Sequence, residues 1–381
     1  MEKVIYVGYY ACLEGDCQTR NYSLAAAKKM DFVASALTQI GKRVEIVSPA
    51  YITDSGRYYK AEEHIQIAPN TQLTLTPSWG GRNKLMRVAR VLYSKWWLFR
   101  YLLSHTNDRT PVVVYHNYEI AIPLIAAQKI KRFPLLLEIE EQYSMVWKLS
   151  RYNQFKENLL LRYGKDRSLV VSELLAEKLG VMHPIVSYGN YNSFKGIIPE
   201  KGKNNTVQLI YTGSVDKVKN SAYLAMEVMP LLPENYELKI SGPIAKGEGD
   251  LFIQTLDAIN RKCGRKACEY LGVLGEEDYG DLLLHADIAL NLQQEGEFGQ
   301  FLFPSKILTY LSYNLAVVTT RGDSIVKSSV ADIVYFSDDY SLEKIAERII
   351  SIDLHDSIDR RKRLNEMSER FLKELETVLL T

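Results

Sequence analysis

The chain has 381 residues, 46% hydrophobic, 24% charged and 10% aromatic, with 47 Lys+Arg against 46 Asp+Glu and a net charge of +1. That length suits two domains, and the apolar fraction excludes a disordered chain. The balanced charge argues against a nucleic-acid binder, and four cysteines at this length do not make a disulfide scaffold.

The opening MEKVIYVGYY has no basic stretch followed by an apolar core and a small-residue cleavage site, so Val4–Tyr10 reads as a strand rather than a secretory leader. Ser23–Ile40 reads as a helix ended by Gly41, and Val44–Ser48 as the next strand. A helix over Asn83–His105 carries five Lys/Arg and no acid. At 100° per residue Leu85, Val88, Leu92, Trp96, Phe99 and Leu103 share one face, with Arg87, Arg90, Trp97 and Tyr101 opposite. Arg beside Trp on an outer face suits anionic lipid headgroups; a core helix with a basic solvent face is the alternative. Val112–Tyr115, Leu135–Glu138 and Ser168–Val171 are apolar and not alternating, as strands buried on both faces should be.

GIIPEKGKNN, Gly196–Asn205, reads as a linker, after which strand–helix alternation resumes. Strands fall at Val207–Tyr211, Tyr236–Ser241, Ala267–Leu271, Ile288–Leu292 and Ala316–Thr320. Helices fall at Asn220–Met229, Asp250–Cys263, Tyr279–His285 and Ser305–Tyr313. A long charged helix, about Ser357–Leu380, puts Leu364, Met367, Phe371 and Leu375 on one face. The expected organisation is residues 1–195, 206–355 and 356–381: two doubly wound α/β domains facing across a cleft, and a final helix packing back over their junction. No run of about 18 apolar residues predicts a membrane-spanning helix, so a reducing cytoplasm is the expected setting. Cys12/Cys17 and Cys263/Cys268 lack partners at zinc-ligand intervals, so no metal is expected.

Two segments of the second half suit an anion. Gly213 ends the strand IYTG and is followed by Ser214, Lys217 and Lys219 before a helix, a diphosphate cradle or, taken alone, a solvated loop. In NLQQEGEFGQFLFPSKILTYL, Ser305 and Lys306 open a helix, Glu297 suits sugar hydroxyls, and three Phe in the preceding loop suit a pocket wall. In the first half His116 follows a strand, and Glu138, Glu140 and Glu141 end the next one, where three acids should line the cleft or face solvent. His116 reads equally as a satisfied core histidine.

These segments resemble the large retaining family of GT-B glycosyltransferases that builds bacterial polysaccharides and glycolipids. YTGSVDKVKN is similar to the family's Gly-x5-Lys loop, and YLGVLGEEDYGDLLLHADIALN to its base-holding turn and following strand. EGEFG is similar to its Glu-Gly-Phe-Gly loop under the donor sugar, and FPSKILTYLSYNLAVVTT to its Pro-Ser-Lys helix. VASALTQIGKRVEIVSP, VVVYHNYEIAIP, LVVSELLAEKL and SYGNYNSF match the first half more loosely.

The resemblance implies a GT-B fold whose second domain binds a nucleoside-diphosphate sugar, UDP-sugar favoured, with no cofactor and no metal. Donor contacts would fall on Gly213, Ser214, Lys219, Gly272, Val273, Leu274, Glu297, Phe298, Gly299, Ser305, Lys306 and Thr309. Glu297, Glu140 and His116 would be catalytic, and Arg20, Glu138 and Trp97 would meet the acceptor. Where the family carries a second Glu, with seven residues between it and the first, this chain has Ser305, or Thr309 when aligned on the helix; where it carries an Arg after the glycine, Ser214 stands. The implied reaction moves a hexosyl group to a glycan or lipid-linked acceptor in surface polysaccharide assembly, with retention, in the cytoplasm or at the inner membrane face. A non-catalytic partner subunit and a sugar-nucleotide epimerase of the same architecture are the alternatives.

Overall fold

The computed structural model describes residues 2–12, 19–56, 58–146, 148–191, 193–198, 206–294 and 303–380. The chain divides into two compact units. Met1–Val171, Leu175–Gly189 and Glu369–Thr381 form the first, and Ser172–Leu174 with Asn190–Ser368 the second.

The first unit runs β1 (Lys3–Val7), α1 (Leu24–Gln39), β2 (Arg43–Ser48), β3 (Tyr59–Lys60), β4 (Glu63–Ala68), β5 (Thr71–Leu75), β6 (Ser78–Trp79), α2 (Lys84–His105) and β7 (Val112–Tyr115). It continues with α3 (Ala121–Lys131), β8 (Leu135–Ile139), α4 (Tyr143–Val146), α5 (Arg151–Tyr163), β9 (Arg167–Val170), α6 (Glu173–Leu179) and β10 (His183–Val186). The eight-stranded sheet has the order β10-β9-β8-β7-β1-β2-β5-β4. Its central strands are buried along nearly their whole length because helices cover both faces, so they read as unbroken apolar runs. The edge strand β4 is antiparallel to β5, and its residues alternate between half-buried and exposed. That polar alternation hid it from a search for apolar runs. Ser23 caps α1, which buries Ala27, Met30, Val33 and Leu37 against the sheet.

The second unit runs β11 (Val207–Thr212), α7 (Ser221–Glu227), β12 (Tyr236–Ser241), α8 (Gly249–Cys263), β13 (Cys268–Tyr270), α9 (Glu276–His285) and β14 (Ile288–Asn291). It continues with α10 (Lys306–Ser312), β15 (Ala316–Thr319), α11 (Asp323–Val326), β16 (Tyr335–Phe336), α12 (Leu342–Ile350) and the first part of α13 (Arg360–Leu380), whose residues from Glu369 on belong to the first unit. Its six strands are all parallel, in the order β13-β12-β11-β14-β15-β16. Leu209, Tyr211, Ile240, Phe252, Leu290 and Val318 lie in its core. The apolar stripe on α13 is buried as its period requires. Leu364 and Met367 belong to the second unit, and Phe371, stacked on Phe32 at 5.6 Å between centroids, belongs to the first.

In each sheet the chain turns back once. The reversals fall between β1 and β7 in the first unit and between β11 and β14 in the second. Open α/β sheets bind ligands beyond the carboxyl ends of the strands at such reversals.

Candidate functional site

At the carboxyl end of β11 the second unit gathers two lysines with little acid beside them. Lys306, the first residue of α10, lays its Nζ 4.1 Å from the centre of the Tyr211 ring and 3.4 Å from the Thr212 carbonyl. Burial, and then the nearby Lys219 charge, push its ammonium down to about 7. Lys219 Nζ donates to Ser214 Oγ at 3.2 Å and lies 3.9 Å from Asp216, which also accepts from Ser214 Oγ at 3.1 Å. Gly213, Ser214, Lys219 and Lys306 are therefore one cluster. A lysine held below its ordinary range by lost hydration, with a second cation beside it, is poised for an anion that restores its charge.

Two tyrosines hold this end of the strand. Tyr310 Oη accepts from the Thr212 backbone N–H at 3.0 Å, and Tyr279 Oη bonds the Thr212 hydroxyl at 3.2 Å. Ser305 is exposed and its hydroxyl does not cap α10. The amides of Ile307 and Leu308 already donate to Pro304 and Ser305 carbonyls, so the helix start offers an anion less than the sequence suggested. Thr309 lies half-buried one turn beyond Lys306.

Gly272, Val273 and Leu274 form the turn after β13, with Val273 72% exposed. Gly242, at the end of β12, ties this turn to the lysine cluster. Its N–H donates to Gly272 O at 2.9 Å, its carbonyl accepts from Tyr270 Oη at 2.7 Å, and it lies against the Gly213 carbonyl. Sequence reasoning missed Gly242; the Ser-Gly-Pro that ends β12 was the signal. Glu297, Phe298 and Gly299 lie outside the described residues.

In the first unit, His116, Glu138 and Glu140 meet at the ends of β7 and β8. His116 is buried, stacks on Tyr143 at 5.3 Å, and its Nδ1–H donates to Glu141 O at 3.1 Å. That leaves Nε2 as an unprotonated acceptor without a partner, and burial holds the imidazole down at about 4, neutral at pH 7. Glu138 corrects the expectation of three acids facing a cleft or solvent, whereas Glu140 and Glu141 are half-buried. Glu138 is buried in β8 and accepts from Tyr6 Oη, and burial with the neighbouring Glu140 raises its carboxyl well above the usual range. Glu140 pairs with Lys29 at 3.1 Å, and Lys29 also donates to Ser187 O. Glu138 thus has no surface to offer an acceptor.

Two further acceptor residues are corrected. Arg20 is buried, with Nη1 donating to Ala50 O at 2.6 Å and Thr76 O at 2.9 Å, so it ties loops together. Trp97 is only 6% exposed, and its Nε1–H donates to Glu62 at 2.7 Å. From Arg90 to Tyr101, α2 is turned from the expected orientation, while Arg87 stays exposed. Arg90, Trp97 and Tyr101 face inward because the Trp79 carbonyl and the Glu62 and Glu45 carboxylates receive their polar ends. Leu85 and Trp96, on the apolar stripe, are 77% and 54% exposed.

No known family matches the sequence, and no curated protein matches it. Solved structures do match over the full length. Trehalose-6-phosphate synthase from E. coli, bound with UDP-2-fluoro glucose, aligns with a TM-score of 0.65 at 11% identity over 100% of this chain and 97% of its own. Anabaena Alr3699/HepE, in complex with UDP and glucose, gives 0.60 at 13% identity over 99% and 98%. Sucrose-phosphate synthase from Thermosynechococcus elongatus gives 0.58 at 11% over 100% and 97%. A likeness at such low identity is one of fold, and the fold this chain shares with these glycosyltransferases is GT-B.

Proposed function

We propose that the chain is a hexosyltransferase that takes its sugar from a nucleoside-diphosphate donor, UDP-sugar favoured, and passes it to a glycan or lipid-linked acceptor in surface polysaccharide or glycoconjugate assembly. The observation that carries this is the Lys306–Lys219 pair beside Gly213 at the strand reversal of the second unit. Two lysines there would neutralise the diphosphate and the charge that grows on it as it leaves. The Gly272–Leu274 turn would hold the base, with Val273 beneath its face. Glu297, Phe298 and Gly299 would lie under the donor sugar, and Thr309 would meet a hydroxyl. His116, with its unengaged Nε2, would accept a hydrogen bond from substrate, and Glu140 would act as a base only on leaving Lys29. Retention of configuration, charge stabilisation by lysine rather than metal, and a cytoplasmic setting complete the reading.

Titrating the full chain with UDP, GDP, dTDP and CMP tests it. One nucleoside diphosphate at about a hundred times its Kd should add roughly 2.7 kcal/mol of stability, and its hexose should then transfer to acceptor glycans. No shift with any nucleotide, or binding without transfer to any acceptor, would defeat the reading.

The lipid-facing part of the proposal rests on α2. Leu85, Val88, Leu92 and Trp96 stand exposed, and Arg100 lies over the Trp96 ring at 5.6 Å. Lys84 and Arg100 flank the stripe. Bare apolar side chains edged by cations suit an anionic bilayer surface. A Leu92→Glu/Trp96→Glu variant should bind phosphatidylglycerol vesicles about tenfold or more weakly, with UDP affinity unchanged. Failure of the parent chain to float with such vesicles would remove the membrane from the reading.

A further inference from the structure

The strand reversal of the second unit leaves a piece of backbone that its own sheet does not pair. β11 pairs with β12 as far as Thr212↔Ser241, but with β14 only at Leu209↔Ile288 and Ile210↔Ala289. Continued, that second register would set Thr212 against Asn291, the last residue of β14, and these two are not paired. Gly213 N–H donates to Ser241 O at 2.9 Å, on the β12 side. Backbone groups alternate sides along a strand, so the N–H and C=O of Thr212, one residue earlier, point to the β14 side, where the strands have parted. Thr212 is buried, and buried backbone groups need partners.

Two side chains of α10 take the place of the missing strand. Tyr310, wholly buried, accepts the Thr212 N–H through Oη at 3.0 Å. Tyr310 Oη and Lys306 Nζ each lie 3.4 Å from Thr212 O, from positions one turn apart on the same face of α10. Tyr310 Oη is also 3.0 Å from the Thr212 hydroxyl, which Tyr279 Oη reaches from α9 at 3.2 Å. A phenol has one proton to donate. Donated to the Thr212 hydroxyl, over the shorter distance, it leaves the carbonyl to Lys306. Donated to the carbonyl, it releases Lys306.

We propose that Tyr310 is a positioning residue for the anion at Lys306: its hydroxyl holds the unpaired end of β11 and, by rotating its O–H from the Thr212 hydroxyl to the Thr212 carbonyl, frees the Lys306 ammonium to meet the diphosphate. Without that exchange, a lysine turning towards an anion would leave a buried carbonyl empty, and the loss would oppose binding. The rotation breaks no covalent bond and moves no charge. That the anion is a nucleotide diphosphate rests on the function proposed above; the exchange of donors at Thr212 does not.

A double-mutant cycle on the full chain, with UDP as the probe at pH 7, tests this. Tyr310→Phe keeps the ring and removes the hydroxyl, so the Thr212 carbonyl must keep Lys306. UDP should then bind about five- to tenfold more weakly, the scale of one hydrogen bond. In Lys306→Met there is no ammonium to free, and the same change should cost less than about twofold. Thr212→Val should act in the opposite direction. It removes the hydroxyl that competes for the Tyr310 proton, so the carbonyl is served without Lys306, and UDP should bind about two- to fivefold more tightly. A tyrosine that only fills space or stiffens the strand end would make both changes weaken binding. Equal loss from Tyr310→Phe with and without Lys306 overturns the inference. So does weaker or unchanged binding in Thr212→Val, which decides the matter alone if Tyr310→Phe does not fold. If the parent chain ignores UDP, the donor reading falls and melting midpoints carry the test. Either donor suffices for the Thr212 carbonyl, so the Tyr310→Phe/Lys306→Met double variant should lose more than the sum of the two singles. A simple sum overturns the exchange.

Discussion

Replacing Lys306 with methionine should weaken UDP binding by about 10- to 100-fold, the scale of a lost charge-assisted contact, and should slow hexosyl transfer by about 10²–10³. The side chain keeps its length and packing on Tyr211 while the charge goes, so the fold should survive. The pH dependence is the sharper test. Burial holds the Lys306 ammonium at about 7, far below its unfolded range. A diphosphate within reach would restore the charge and raise that value, so binding above pH 7 must take up a proton. UDP affinity of the parent should therefore fall as pH rises from 7 to 9, and calorimetry in buffers of different ionisation heat should record the uptake.

Stability carries the opposite signature. Between the folded and unfolded values of Lys306 the unfolded chain binds the extra proton, so this residue's contribution makes the free protein more stable as pH rises through that window. Below it the folded protein carries a poorly hydrated charge. Lys306→Met should therefore be more stable than the parent at pH 6, and the gain should vanish towards pH 10. Unchanged UDP affinity in the variant, at any pH, would remove Lys306 from the donor site.

The legible parts of this molecule were those whose signal is local. Strands such as Val112–Tyr115 and Tyr236–Ser241 are recovered to the residue, because burial on both faces demands an unbroken apolar run. Ser23 and Gly41 bracket α1 in the sequence, and the four-residue stripe on α13 faces inward as its period requires. Periodicity finds the faces of α2 but does not say which one is buried. That choice depends on Glu62, Glu45 and the Trp79 carbonyl, up to 56 residues away in the chain, which make Trp97, Tyr101 and Arg90 better buried than exposed. Arg20 and Glu138 misled for the same reason. A charged residue after a strand looks available until the carbonyls of Ala50 and Thr76, or the phenol of Tyr6, are found beside it.

The candidate sites divide along the same line. Gly213, Lys219 and Lys306 were found because loop motifs mark them, although Lys219 and Lys306 lie 87 residues apart in the chain. A cavity of about 420 Å³ in the first unit, lined by Tyr9, Tyr51, Tyr115 and Tyr143 among others, was invisible, because its residues come from strand ends, the start of α1 and the middle of α2, spread over more than 130 residues, and no short window holds more than two of its tyrosines. Pockets at a strand reversal are assembled by topology, and topology is what a linear reading supplies last.

Gly242→Ala should be the most damaging single-atom addition in the second unit. The backbone there has φ +145°, which a side chain resists, and an added Cβ would lie 1.9 Å from the Gly213 carbonyl oxygen and 2.6 Å from its carbon. Neither neighbour is the flexible end of a side chain, so the ends of β11 and β12 must part. Overpacking of about 1–3 kcal/mol and backbone strain of about 1–3 kcal/mol add to a loss near 2–6 kcal/mol. The damage should also reach ligand binding, because Gly242 joins the Gly213–Lys219 loop to the Gly272 turn through the 2.9 Å bond to Gly272 O. Protein that still folds should bind UDP at least tenfold more weakly. Gly247→Ala is the matched control. It also has positive φ, +86°, but nothing lies within 4 Å of its added Cβ. Its cost should be about 1 kcal/mol, from conformation alone, with UDP affinity intact. Chemical denaturation and UDP titration of the two variants separate the effects. Equal losses in both would mean that close approach at Gly242 is unimportant, and that the two turns bind independently.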